Sequence, residues 1–275
     1  MKTLRLIIAA ALVLNLAACN VVELDDSQGG PPINNDDDNG GSGEDDNTGF
    51  FSLSFQDTWT YDVTQDEDTQ EDTLNIIQVF LDGTADLQSP DPAVGIMTLV
   101  FDRGTLQEDD NDALIYNGVV DFQLTEDASL TLDLSNAIVY DPTQALDTVI
   151  YTDTQTVTQE IEGLPITFDV TITSTQLEND LANLEAGGMV FEEVIRSNLT
   201  IEASGSITVA GVAIELLQPQ VIYDITNEYA MNVGLVNSVT NFQYTLEDVG
   251  VELPFPSEVS SVITQVISNF DVAED

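Results

Sequence analysis

The chain has 275 residues with 50 acidic and 4 basic side chains, no histidine and one cysteine, for a formal charge of −46 at pH 7. So few cations exclude nucleic acid as a partner, because phosphate binding rests on lysine and arginine. The absence of histidine removes Ser-His-Asp and Cys-His catalysis and the usual zinc sites, and a lone cysteine leaves no disulfide framework.

Lys2 and Arg5 precede an apolar run from Leu6 to Ala18 that only Asn15 interrupts, the layout of a secretory signal. The run has 13 residues, short of the ~20 that a membrane-spanning helix needs. It closes on Leu16-Ala17-Ala18-Cys19. These four residues resemble the lipobox of bacterial lipoproteins: a branched apolar residue, two small residues and an obligatory cysteine. The resemblance covers residues 1 to 19. It implies removal of residues 1–18, a diacylglyceryl thioether on Cys19 and acylation of the new amino terminus, so that the chain meets a membrane through lipid on Cys19. One acyl chain binds reversibly, at about 0.8 kcal/mol per buried methylene, and several make a stable tether. Asn20 stands where an aspartate would resemble an inner-membrane retention signal, which favours the outer membrane. Glu23, Asp25 and Asp26 resemble surface-export signals too loosely to choose between its periplasmic and outer faces.

Without residues 1–18, Arg103 and Arg196 are the remaining cations against 50 acids, a formal charge of −48. Such a chain repels itself at low ionic strength. Between physiological and molar salt the screening length falls from ~8 to ~3 Å, so the composition predicts a salt-loving source and a fold that salt stabilises. Anionic headgroups are excluded as direct partners. Divalent cations, an envelope protein and neutral or apolar ligands remain.

Residues 19–49 read as the lipidated cysteine followed by an acidic Gly/Asn/Asp linker, with little apolar material to offset ordering entropy. Asn35, Asp37, Asn39, Gly40 and Asp46 match positions of a calcium loop. Ser42, however, stands where such a loop wants an apolar residue, and no amphipathic helix flanks it, so a solvated tail is the preferred reading.

From Phe50 the hydrophobic period becomes two. Phe51, Leu53, Phe55, Trp59, Tyr61 and Val63 share one face, and Asp57 breaks the alternation, which predicts a bend or bulge. Similar runs recur at 74–81, 94–101, 119–125, 129–140, 146–161, 166–173, 199–203, 207–217, 221–225 and 242–246. Asp82-Gly83, Arg103-Gly104, Asn117-Gly118 and Ala210-Gly211 sit between them as turn signals. Strands joined by tight turns predict an all-β fold, an antiparallel β-sandwich or partly closed barrel with long strands.

Two short helices are predicted to pack on it. One starts at the capping box of Thr175 and Glu178, presents Leu177, Leu181 and Leu184, and stops at Gly187-Gly188. The other runs from Ser257 to Phe270 on a stripe of Val259, Val262, Ile263, Val266, Ile267 and Phe270. Residues 50–275 are thus read as a single domain of 226 residues; any division would fall at Asp141-Pro142 or Gly163-Pro165. An outer-membrane barrel is set aside because of the lipobox, the acidic terminus Ala273-Glu274-Asp275 and the sparse aromatics.

Carboxylates, hydroxyls, tyrosines and two arginines are the chemistry left. Two acidic clusters, Asp66-Glu67-Asp68 with Glu71-Asp72 and Glu108-Asp109-Asp110 with Asp112, could hold calcium or magnesium, with Asp66, Asp68, Asp72, Asp109, Asp110 and Asp112 as the candidate ligands. Solvated loops are the preferred account in so acidic a protein. Arg103 and Arg196 are expected to end internal salt bridges. The expected function is a non-enzymatic outer-membrane lipoprotein without a cofactor, structural or binding an envelope component or apolar ligand. The alternatives are a carboxylate-based glycan hydrolase, which needs two carboxyl groups about 5–9 Å apart, and a calcium-dependent adhesion module.

Overall fold

The computed structural model describes residues 49–125, 128–161, 164–209, 211–250 and 256–272. The signal, the lipobox, the linker up to residue 48 and the calcium-loop match lie outside the described residues. The described residues form one compact unit.

Alternating apolar and hydroxyl residues build β1 (Thr58–Gln65), which buries Trp59, Tyr61 and Val63. Then come β2 (Asp68–Val79), β3 (Ala85–Gln88), helix α1 (Ile96–Phe101), β4 (Gly104–Glu108), β5 (Leu114–Thr125), β6 (Ala128–Asp133) and β7 (Ala137–Tyr140). A long hairpin follows, of β8 (Thr148–Ile161) and β9 (Leu164–Gln176), and then a small separate one, of β10 (Leu184–Ala186) and β11 (Met189–Phe191). The chain completes the sheet with β12 (Val194–Val209), β13 (Val212–Ala230), β14 (Gly234–Thr245) and β15 (Glu258–Asp271).

All strand pairs are antiparallel, and 13 strands share one sheet in the order β6-β5-β4-β3-β2-β1-β15-β14-β13-β12-β9-β8, with β7 beside β5. The first and last strands are neighbours, with Val63 opposite Gln265. The sheet curls until its two ends, β6 with β7 and β8 with β9, approach each other, a nearly closed barrel. Its apolar face is inside. In β9, Ile166, Phe168, Val170 and Ile172 are buried, while Thr167, Asp169, Thr171 and Thr173 point out. A membrane-spanning barrel carries its apolar band on the opposite face.

Several sequence-based expectations need correcting. Neither predicted helix forms. Residues 257–270 lie almost wholly in β15, a central strand between β1 and β14. Its Val, Ile and Thr residues favour the extended backbone, and Ile263, Gln265 and Ile267 bury with period two. Thr175 belongs to β9, and the chain beyond it runs along β12: Glu178 accepts the Arg196 N–H through its carbonyl and the guanidinium through its carboxylate. Those bonds take the place of the capping box. The helix that does form, α1, falls in the 94–101 run read as a strand; Ile96, Met97, Thr98, Val100 and Phe101 are all buried, so the run shows no period.

Asn117-Gly118 is not a turn but the middle of β5. Gly118 lies opposite Gly104, and Cβ atoms on the two glycines would sit 2.2 Å and 2.6 Å from the Tyr116 side chain, so the pair makes a bed for that ring. Other turns hold. Gly83 turns β2 into β3 and Gly211 turns β12 into β13, both at positive φ. At Asp57 the chain bends, and the buried carboxylate accepts from Ser52 Oγ at 2.6 Å and Ser54 N at 2.9 Å.

Candidate functional site

The barrel interior is filled. Helix α1 lies within it, held by polar side chains on the strands around it. Asp72 of β2, buried, accepts the N–H groups of Val94 at 3.0 Å and Gly95 at 2.7 Å. Gln265 of β15, equally buried, donates to Thr98 Oγ1 at 2.7 Å. A Cβ on Gly95 would lie 2.4 Å from the Gln265 amide oxygen, so a larger residue there would push aside the side chain that holds Thr98. An internal apolar cavity lined by residues including Tyr116, Leu134, Ser174, Leu199 and Asn227 measures about 20 Å³, room for one water. Tyr116 Oη and Asn227 Oδ1 are buried there without protein hydrogen bonds.

One end of the barrel is plugged by aromatic rings, and there the described chain begins. Phe51 packs on Trp59 at 5.0 Å, Phe101 at 5.6 Å and Tyr229 at 6.3 Å, and Tyr140 meets Tyr229 at 4.9 Å. Trp59 Nε1 donates to Val233 O at 2.6 Å. Gly234, at φ 115°, leaves space for both Phe51 and Trp59 at 3.3 Å.

Glu108 sits beneath this plug. Its carboxyl oxygen accepts from Tyr140 Oη at 2.8 Å and Phe51 N at 3.3 Å, and a Cβ on Gly49 would fall 2.0 Å from it. Burial pushes the carboxyl up to about 7 against the lowering effect of those two hydrogen bonds, and Asp112 and Asp109 raise it further. Burial likewise holds the Tyr140 phenol well above its ordinary range. Glu108 ties the incoming N-terminal segment to the barrel end.

The acidic residues read as metal candidates are spread over separate features. Asp66 occupies the left-handed turn between β1 and β2, with Asp68 beginning β2. Asp72 is engaged by α1 as described. Asp109 Oδ1 accepts from Asn111 N at 2.8 Å and Ala113 N at 3.0 Å, closing the β4–β5 turn in which Asp110 is exposed and Asp112 adopts φ 60°. Among the described residues no three acidic side chains come together in a set able to hold a metal ion. Arg196 pairs with Glu178 and with buried Glu228, whose other oxygen accepts from Asn237 at 2.8 Å. Arg103 lies 3.7 Å from Asp102 and is largely exposed.

The run of acids around position 108 hid the role of Glu108. The signal that could have found it is its period-two spacing from Leu106, which is fully buried in the same strand. On the outside, a depression bounded by Asn198, Asp224, Asn241 and Gln243 crosses β12 to β15, and another at the seam is bounded by Asp133, Tyr151, Asp153 and Gln155. Amides and hydroxyls dominate both, a surface suited to neutral polar groups and lacking a cation.

No family model and no curated protein matches the chain. Among solved structures, it is similar to the crystal structure of a "putative lipoprotein" from Parabacteroides distasonis, at 12% identity and a TM-score of 0.35, covering 82% of this chain and 99% of that one. A likeness at that level carries no argument about fold or function.

Proposed function

We propose that this chain is a bacterial outer-membrane lipoprotein, tethered by lipid on Cys19, whose barrel-like domain is a non-enzymatic structural or binding module. The observation that carries the reading is Leu16-Ala17-Ala18-Cys19 closing a charged and then apolar start. The second part of the reading draws support from the interior. Ligand pockets occupy about 300–1,000 Å³, whereas the cavity between α1 and the strands beside Tyr116 measures about 20 Å³. The module meets an envelope component or apolar ligand, with the polar depressions on its outer surface as the contact sites. A hydrolase would need a proton-holding carboxyl open to substrate; Glu108, which has that proton affinity, is taken up by Phe51 and Tyr140.

Intact-mass spectrometry of the protein extracted from outer-membrane fractions tests the reading. It expects a chain beginning at Cys19 and carrying a diacylglyceryl group and an amide-linked acyl chain. An unmodified amino terminus, or recovery in the soluble fraction, contradicts it.

A further inference from the structure

The β2–β3 turn is an exposed apolar tip. We infer that it is a foot that rests in the surface of a zwitterionic bilayer, an inference that depends on the lipid tether proposed above. Ile77, Val79, Phe80 and Leu81 are exposed, and Leu81 is fully so. Phe55 lies beside them, since Gln56 N donates to Ile76 O at 3.2 Å, and it is 61% exposed. These are five of the eleven large apolar side chains exposed among the described residues. Clustering of that kind marks a contact surface, whereas scattered apolar residues do not.

The tip is rigidly presented. Phe80 N donates to Thr84 O at 2.8 Å, Gly83 N to Phe80 O at 3.0 Å and Thr84 N to Asp82 Oδ1 at 3.1 Å. Phe80 and Leu81 are therefore held outward by the turn itself.

Position identifies the occupant. Consecutive residues of β4 hold both the tip and the start of the described chain: Gln107 Nε2 donates to Asp82 O at 2.8 Å, and Glu108 accepts from Phe51 N at 3.3 Å. The described chain thus begins at the tip's end. The β12–β13 turn at Gly211 lies at the opposite end. Charge narrows the lipid. Residues 76–86 contain Asp82 and Asp86 and no lysine or arginine, so the foot inserts by apolar contact and anionic headgroups repel it.

Acylation leaves no free thiol on Cys19, the chain's one cysteine, so Leu81→Cys gives a single attachment point for an environment-sensitive fluorophore. Val212→Cys, exposed near the opposite turn, is the control. The acylated full chain is reconstituted on phosphatidylcholine vesicles containing doxyl lipid. We expect a blue-shifted label at 81, quenched at least fivefold more than at 212, with the difference lost when a third of the lipid is phosphatidylglycerol at low salt. Equal quenching at 81 and 212 on vesicle-bound protein overturns the foot and leaves the tether standing. Protein that carries no acyl group and washes off the vesicles overturns both. A label shielded in whole cells but not on vesicles assigns the tip to a protein partner and overturns the lipid.

Discussion

The side-chain amide of Gln155 accepts the backbone N–H of Asp133 at 3.1 Å and donates to the carbonyl of the same residue. Gln155 belongs to β8 and Asp133 to β6, the two ends of the curled sheet, so a side chain stands in where a neighbouring strand would complete the ladder. Gln176 of β9 adds a second link: its oxygen accepts from Asp141 N, just beyond β7, at 2.8 Å, while its nitrogen donates to Arg196 O of the adjoining β12 at 3.0 Å. Glutamine side chains thus bridge the seam in two places. Free strand edges invite pairing with other chains, and these amides satisfy part of that edge internally.

Gln155→Ala should lower stability by about 1–2 kcal/mol, the net worth of two partly exposed hydrogen bonds. Gln176 is fully buried, and Gln176→Ala should cost more, about 2–4 kcal/mol, because it strands backbone groups away from water. Urea denaturation measures both. Amide exchange at Asp133 should quicken in the first variant; unchanged exchange there would remove the seam role of Gln155.

Asp72 predicts a second asymmetry. Asp72→Ala leaves the Val94 and Gly95 N–H groups buried without an acceptor and should destabilise by about 2–4 kcal/mol. Asp72→Asn retains one acceptor oxygen and should cost less than half as much. Equal losses in the two variants would show that the carboxylate does not anchor α1.

Glu108 predicts a pH dependence with a definite sign. Its folded-state affinity for a proton, near pH 7, exceeds the ordinary value of 4.5, so the folded chain binds more protons than the unfolded chain between those values. The contribution of Glu108 is fully present below pH 4.5 and is lost as pH rises to about 7, on the order of 3 kcal/mol at 1.36 kcal/mol per pKa unit. Glu108→Gln should abolish that fall. The difference between wild-type and variant stability, taken from pH 4 to 8, isolates it from the other acids, and a flat difference refutes the assignment.

Charge predicts the response to salt. A domain with two cations, Arg103 and Arg196, one of them already paired with Glu178 and Glu228, has few favourable ion pairs for salt to screen and many repulsions. The melting temperature should rise by several degrees between 0.1 M and 2 M NaCl. A constant or falling value would contradict the electrostatic account.

Much of the architecture was legible because most strands announce themselves by period two. In the stripe read from Phe51 to Val63, Phe51, Trp59, Tyr61 and Val63 point inward as read while Phe55, before the bend at Asp57, is exposed; the Ile166-to-Ile172 alternation points inward throughout. The helices failed for a physical reason. Val259, Val262, Ile263, Val266 and Ile267 fit a helical stripe, but β-branched residues also fit a strand, and the neighbours β1 and β14 decide the matter. Helix α1 could not be read because a segment buried on every side has no polar face to mark its period. Long-range pairs were equally hidden: nothing local joins Gln155 to Asp133, or Glu108 to Phe51 at 57 residues' separation. In the acidic loops, Asp66, Asp109 and Asp112 serve turns of the kind that an aspartate-rich chain builds.

The central claim is the lipid on Cys19, and metabolic labelling with a clickable palmitate analogue tests it most directly. The native chain should take up label while Cys19→Ser takes up none and leaves the membrane fraction. Equal labelling of the two, or an unlabelled native chain, would contradict the account.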